Sequence, residues 1–372
     1  MRNMLAQSVP FMARRSMAAT AHHGNIYFFG GVGAAGTESI LDVSNDMWCF
    51  DTQTLSWTEV VNAGLSHWPS PRRCLGFAST EEGLYLWGGS GLERDANGRL
   101  TYTFLNDLWL FHSQDGVWEL LAATNDHKEC PLNSSKLGRP APRYTPVWHI
   151  RKNTGVLFSG YTEDLLGKRK MNDLWLWEIS GGHWRKIEQQ NLQDGYNPSF
   201  GWPGLRYGTM SVSDNNALYV CGGFSDDGDH IDVWRWDLGA ESWECLASDN
   251  PLEQAPPPRY YGACALYKDG IWIFGGRSRR YPKLNFNDTW RFDILKRKWE
   301  LVTPQSEVHR YDITAPHIGY HAKSASAFIE DQWYLWGGEG LRGHVSDFWR
   351  FNFVHRTWQM IQPARDDDPK FW

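Results

Sequence analysis

The chain has 372 residues, 41% of them hydrophobic, and a formal net charge of −6. That balance provides no broad basic surface, which argues against a nucleic-acid or membrane-surface binder. No run of 18 apolar residues exists for a membrane helix, and the opening MRNMLAQSVPFMARRS lacks the apolar stretch of a secretory signal.

The first predicted strand is led by Arg14. The second, NIYFFGG, ends on Gly30-Gly31; the third carries Asp46 and Trp48 in NDMW; the fourth opens on Trp57. The same order then returns. Unit two has Arg72, Gly88-Gly89, Asp107, Trp109 and Trp118, and unit three has Arg143, Asp173, Trp175 and Trp184, with Ser159-Gly160 in place of the glycine pair. Unit four has Arg206, Gly222-Gly223, Asp232, Trp234 and Trp243. Unit five has Arg259, Gly275-Gly276, Asp288, Trp290 and Trp299. Unit six has Gly337-Gly338, Asp347, Trp349 and Trp358, but His321 stands where the arginine should be. In all six units the leading residue precedes the pair by sixteen positions.

The tryptophans that open the fourth strands are spaced 61, 66, 59, 56 and 59 residues apart, so one unit of about 60 residues fills the chain. The units run approximately 14–64, 72–125, 143–190, 206–248, 259–304 and 321–363, within one domain spanning 1–372. Segments such as MWCFD and IYFFGG are apolar on both alternating faces, the mark of sheets covered on both sides. A glycine pair ends a strand where another backbone approaches closely. Of the 22 tryptophans, twelve occupy the two repeat positions, where a large flat ring fills a wedge between sheets. Six cysteines (Cys49, Cys74, Cys130, Cys221, Cys245, Cys264) lack C-x-x-C spacing, and four fall in predicted strands as small hydrophobes; a reducing, cytoplasmic setting is expected.

The pattern of leading Arg, Gly-Gly, Asp-x-Trp and Trp resembles the kelch repeat over residues 14 to 362. The resemblance implies an all-β fold, a six-bladed kelch-type β-propeller with four antiparallel strands per blade. It is specific for fold and weak for activity. Kelch propellers include partner-binding receptors, substrate adaptors, a copper oxidase, a sialic-acid mutarotase and iron-dependent specifier proteins. Neither the copper enzyme's ligand set nor the E-x-x-x-D-x-x-x-H run of the specifier proteins is found. Since the last repeat ends with its own fourth strand near Trp358, a blade shared between the termini is not required. Residues 3 to 10 are available for an added edge strand.

With strands A to D in chain order, the A–B and C–D turns are short and carry turn chemistry. The B–C segments 90–105, 161–171 and 277–286 and the D–A segments 122–142, 188–205 and 303–320 read as long loops on the opposite face. Trp68 and Trp202 lie in D–A loops, as anchors for a partner or as caps on a blade edge.

Arg14, Arg72, Arg143, Arg206 and Arg259 form a ring around the axis. In kelch receptors that hold acidic peptides, Arg at this place contacts ligand carboxylates, so the resemblance suggests an anion-binding mouth. The alternative is an ion-pair stitch to the repeat aspartates. Arg73, Arg277, Arg279, Arg280 and Lys283 have no repeat aspartate to balance them. Lys168, Arg169 and Lys170, with Asp226, Asp227, Asp229 and His230, read as a solvated charged rim rather than a cation site. In unit six, His321, His309, His317, Glu339 and His344 are candidates for acid–base catalysis or metal ligation. The expected function is binding of a protein or acidic peptide by a monomer, through the B–C/D–A face and the Arg-lined mouth, with no cofactor, metal, nucleic acid or membrane. The alternative is an enzyme of small-molecule metabolism, isomerase or lyase-like, near blade 6.

Overall fold

The computed structural model describes residues 10–11, 13–33, 43–61, 67–94, 97–124, 138–164, 167–188, 201–249, 254–279, 284–305, 321–340 and 343–363. Six four-stranded antiparallel meanders form the blades of a propeller. Blade 1 is Ala18–His22, Asn25–Phe29, Met47–Asp51 and Ser56–Val60; blade 2 is Gly76–Ser79, Leu84–Arg94, Leu100–His112 and Val117–Ala122. Blade 3 is Val147–Arg151, Thr154–Asp164, Gly167–Glu178 and His183–Ile187; blade 4 is Met210–Ser213, Ala217–Phe224, Asp229–Asp237 and Ser242–Ala247. Blade 5 is Ala263–Tyr267, Gly270–Phe274, Thr289–Asp293 and Lys298–Thr303; blade 6 is Ala325–Ile329, Gln332–Gly340, Gly343–Asn352 and Thr357–Gln362.

Among the described residues there is no single central core. The buried apolar residues fall into six clusters, each filled from two neighbouring blades, including one between blades 6 and 1 around Phe28, Phe50, Trp336 and Phe348. This is why the strands are apolar on both faces. Trp109, Trp175, Trp234, Trp290 and Trp349 are buried as expected, whereas Trp48 is half-buried against Phe11.

Each blade is built from one continuous repeat, and the ring closes without a shared blade. Around the axis, the residue two places after the leading Arg or His has a left-handed backbone: Ser16, Cys74, Thr145, Gly208, Tyr261 and Lys323, with φ between 52° and 64°. Five of these amides bond to the preceding blade's carbonyl: Ser16 to Lys323 (2.9 Å), Cys74 to Ser16 (2.9 Å), Thr145 to Cys74 (2.8 Å), Tyr261 to Gly208 (2.8 Å) and Lys323 to Tyr261 (2.9 Å). Farther out, Trp57 Nε1 donates to Gln362 Oε1 at 2.6 Å, tying the outer strands of blades 1 and 6. Residues 3 to 9 lie outside the described residues.

The glycine pairs sit where neighbouring blades meet most closely. A Cβ on Gly30 would lie 2.4 Å from the Arg72 carbonyl oxygen. Unit three tolerates Ser159 there at φ 63°, and its hydroxyl donates to the Arg206 carbonyl at 3.0 Å. Two expectations need correction. Segments 90–105 and 161–171 are not loops: blades 2 and 3 continue upward as paired hairpins, with register shifts at Leu105/Leu108 and Phe158/Gly160. The cross-strand ladder satisfies backbone groups that a loop would leave to water. Within the D–A segments, residues 125–137, 189–200 and 306–320 lie outside the described residues.

Candidate functional site

The sixteen-residue spacing has a direct cause. Nη1 of each leading arginine donates to the carbonyl of the residue sixteen ahead: Gly30, Gly88, Ser159, Gly222 and Gly275, at 3.0–3.3 Å. The same guanidinium grips its own blade's aspartate with two parallel bonds. These are 2.7 and 2.9 Å for Arg72–Asp107, 2.5 and 2.8 Å for Arg143–Asp173, 2.7 and 2.9 Å for Arg206–Asp232, and 2.6 and 2.9 Å for Arg259–Asp288. Arg14 pairs with Asp46 in the same way. The aspartate also accepts the indole N–H of the tryptophan two residues on, in all six blades.

Arg143, Arg206 and Arg259 are 0% exposed and Arg72 is 1% exposed. The reading of Arg72, Arg143, Arg206 and Arg259 as an open anion-binding mouth is therefore corrected: these guanidinium groups lock strand to strand inside their own blades, and Arg14, half-buried, is held in the same clamp by Asp46. A fork-shaped donor buried against a carboxylate has little left to offer a ligand. The asparagine of N-D-x-W, given no role from sequence, fastens the next loop, with Asn45, Asn106 and Asn172 donating to the carbonyls of Pro69, Pro140 and Pro203.

His321 takes the arginine's place in the lock. It is 2% exposed; Nδ1 donates to the Gly337 carbonyl at 2.8 Å, again sixteen residues ahead, and Nε2 lies 3.4 Å from Asp347. Burial opposes its charge, but Asp347 and that carbonyl raise its pKa above the ordinary value. Glu339 points elsewhere, to Lys323 (3.1 Å), Arg15 (3.2 Å) and Arg277 (3.2 Å). Burial would raise its carboxyl, yet the three cations pull it down to about 2. His344 is the cross-strand partner of Glu339, and burial followed by the Arg15 charge lowers it to about 4. His309 and His317 lie outside the described residues. The blade 6 residues thus build an ion-pair hub that joins blades 5, 6 and 1, and no described candidate converges on His321.

Trp68 and Trp202 cap blades. Their indole N–H groups donate to the Asn45 and Asn172 carbonyls at 2.7 and 2.8 Å, and their rings meet Trp118 and Trp236 at 6.1 Å. The acidic hairpin divides: Asp226 and Asp227 are exposed, but Asp229 and His230 are 1% and 4% exposed, so the solvated-rim reading holds only for the tip. His230, Asp232 and Asp249 bring potential metal-ligand atoms within 4.8 Å of one another. Asp232, however, is clamped by Arg206, and Asp249 accepts two backbone amides, so these donors are already committed.

One residue beyond each leading Arg or His stands a member of one of six cross-strand pairs: Arg15 with Val32, Arg73 with Ser90, Tyr144 with Tyr161, Tyr207 with Phe224, Tyr260 with Arg277 and Ala322 with Glu339. Blades 3 to 5 contribute a continuous aromatic arc, with centroids 5.2 Å apart for Tyr144–Tyr161, 5.4 Å for Tyr161–Tyr207, 5.5 Å for Tyr207–Phe224 and 5.6 Å for Phe224–Tyr260. Cations lie over this arc and over Tyr102 of blade 2: Arg73 at 4.2 Å from Tyr102, Arg279 at 4.4 Å and Lys170 at 5.1 Å from Phe224, and Arg277 at 5.6 Å from Tyr260. Arg280 and Lys283 lie outside the described residues. Burial raises the hydroxyl pKa of Tyr144 and Tyr207, so these rings stay neutral near pH 7.

Comparison with known proteins agrees with this architecture. The sequence model of the KLHDC2/KLHL20/DRC7 Kelch-repeats domain matches residues 2–137, 126–317 and 202–370. The chain is 25% identical over 291 residues to the leucine-zipper-like transcriptional regulator 1 homolog of Drosophila melanogaster, covering 78% of this chain and 27% of that protein. It is 22% identical over 318 residues to human Kelch domain-containing protein 10, covering 82% and 64%. Human Kelch domain-containing protein 3 is 24% identical over 168 residues, covering 43% and 42%. The matches therefore span about a quarter to two thirds of the length of these relatives.

Proposed function

The chain belongs to the kelch-repeat family, and from that premise we propose that it binds a protein partner by receiving an acidic peptide segment at the mouth on its B–C/D–A face. The carrying observation is a contrast between two layers. The Arg–Asp–Trp locks repeat from blade to blade, while the six cross-strand pairs just above them change from aromatic in blades 3 and 4 to charged elsewhere. A repeated layer serves the fold; a layer that varies on a rigid frame can discriminate partners. The positive groups that would meet carboxylates are Arg73, Arg277 and Arg279 rather than the buried ring, and the tyrosines supply area with little ordering cost.

Selection from a library of random peptides displayed on phage tests this reading. Enriched sequences should be rich in Asp and Glu, and Arg73→Glu with Arg279→Glu should weaken their binding about tenfold or more while leaving the fold intact. Enrichment of basic or neutral peptides, or binding indifferent to both substitutions, would refute it.

A further inference from the structure

At the upper edge of blade 4, three side chains that the mouth does not use form a hydrogen-bonded chain. Ser225 Oγ lies 2.7 Å from His230 Nε2, and His230 Nδ1 lies 2.5 Å from Asp249 Oδ2. The other oxygen of Asp249 accepts the amides of Ile231 at 2.6 Å and Asp232 at 2.8 Å, so the carboxylate cannot turn away. Burial would raise the Asp249 carboxyl, but His230 and the Ile231 amide hold it below the usual range, keeping it an acceptor.

A purely structural hairpin does not require this chain. The turn 225–228 is already closed by the Ser225 amide on the Gly228 carbonyl at 2.9 Å and by the Asp227 amide on Ser225 Oγ at 3.1 Å. The Ser225 hydroxyl proton has two acceptors, the Gly228 carbonyl at 3.3 Å and His230 Nε2 at 2.7 Å, and the imidazole is the nearer. A hydroxyl within reach of an imidazole, itself oriented by a fixed carboxylate, is the arrangement that activates a nucleophile on unrelated folds. Ser225 is 5% exposed, and the next two residues of its turn, Asp226 and Asp227, are exposed.

We propose that Ser225 is a nucleophile for acyl transfer from carboxylic esters of small acids, with His230 as its base and Asp249 as the positioning residue. Ser225 Oγ bonds to the ester carbonyl carbon as its proton passes to His230 Nε2. The carbon–oxygen bond to the alcohol then breaks, and the alcohol leaves with that proton. Water, deprotonated by His230, attacks the acyl-serine, releases the acid and returns the proton to Ser225.

The test is reaction of the native full chain with a fluorophosphonate probe, read by peptide mass spectrometry, alongside hydrolysis of 4-nitrophenyl acetate. In the probe reaction a phosphorus–oxygen bond forms on Ser225 and fluoride leaves. Ser225 should be labelled in the folded protein and unlabelled in urea, because an isolated serine hydroxyl is unreactive. His230→Ala should slow labelling about a hundredfold, and Asp249→Asn should slow it while shifting its pH profile. An unlabelled Ser225 in the native chain overturns the proposal without any variant. Equal labelling in urea, or a His230→Ala chain labelled as fast as the parent, overturns it as well.

Discussion

The amide of Ser16 donates to the carbonyl of Lys323 at 2.9 Å, joining the first repeat to the last by the same axial bond that joins neighbours elsewhere in the ring. Ser16 holds φ 59° to make that bond. A proline cannot adopt that angle and has no N–H to donate. Ser16→Pro should therefore lower stability by about 3 kcal/mol or more, measured by equilibrium urea unfolding. A loss below about 1 kcal/mol would mean that closure rests on the apolar cluster between blades 6 and 1 instead.

Arg206 and Asp232 are both fully enclosed. Removing the cation alone strands a buried carboxylate, so Arg206→Ala should cost about 3–5 kcal/mol. Arg206→Lys should not rescue it, since an ammonium cannot reproduce the two-pronged pairing together with the bond to the Gly222 carbonyl. Partner binding by whatever fraction remains folded should be unchanged, and a selective loss of binding would reinstate the receptor reading of the ring.

The pairing of His321 with Asp347 makes blade 6 sensitive to pH. Because the folded pKa of His321 is raised, the stability it lends is fully present below about pH 6.5, the unfolded value. It is lost as pH rises through the higher folded value. His321→Arg should abolish that part of the pH dependence, seen as a smaller fall in melting temperature across the range. Nuclear magnetic resonance should find His321 titrating above its ordinary value; titration below 6.5 would contradict the pairing.

Two glycines with similar backbones should respond very differently to a methyl group. Gly24, at φ 78°, has nothing within 4 Å of where a Cβ would stand, whereas at Gly275, at φ 65°, that atom would lie 2.4 Å from the His321 carbonyl oxygen. Gly24→Ala should cost only the left-handed conformation, about 1 kcal/mol. Gly275→Ala must also push blade 6 away from blade 5 and should be several-fold more damaging in thermal unfolding.

Much of the fold was legible because each unit repeats the same local instructions. The leading residue, the glycine pair, the Asp-x-Trp and the final Trp recur six times, and both-sided apolar strands leave stacked blades as the way to cover them. The sixteen-residue interval was visible, but not its cause, since the reach of Arg14 to the Gly30 carbonyl exists only once strands A and B are paired. The hairpin extensions of blades 2 and 3 were hidden because segments 90–105 and 161–171 mix glycines and charges with apolar residues, and only cross-strand pairing makes them strands.

The candidate site was legible in part. The cations Arg73, Arg277 and Arg279 stood out as unbalanced by the repeat; Arg277 and Arg279 lie over the aromatic arc, and Arg73 lies over Tyr102. Tyr144, Tyr161, Tyr207 and Tyr260 escaped notice because residues some twenty to fifty positions apart meet only when blades close around an axis. By itself the sequence determined the number of blades, their order and the residues between them, since burial on both faces is written into each strand. The tertiary structure alone decided which charges turn inward. Arg206 and Asp232 are 26 residues apart, and whether such a pair faces a ligand or each other depends on the packing that excludes water from both.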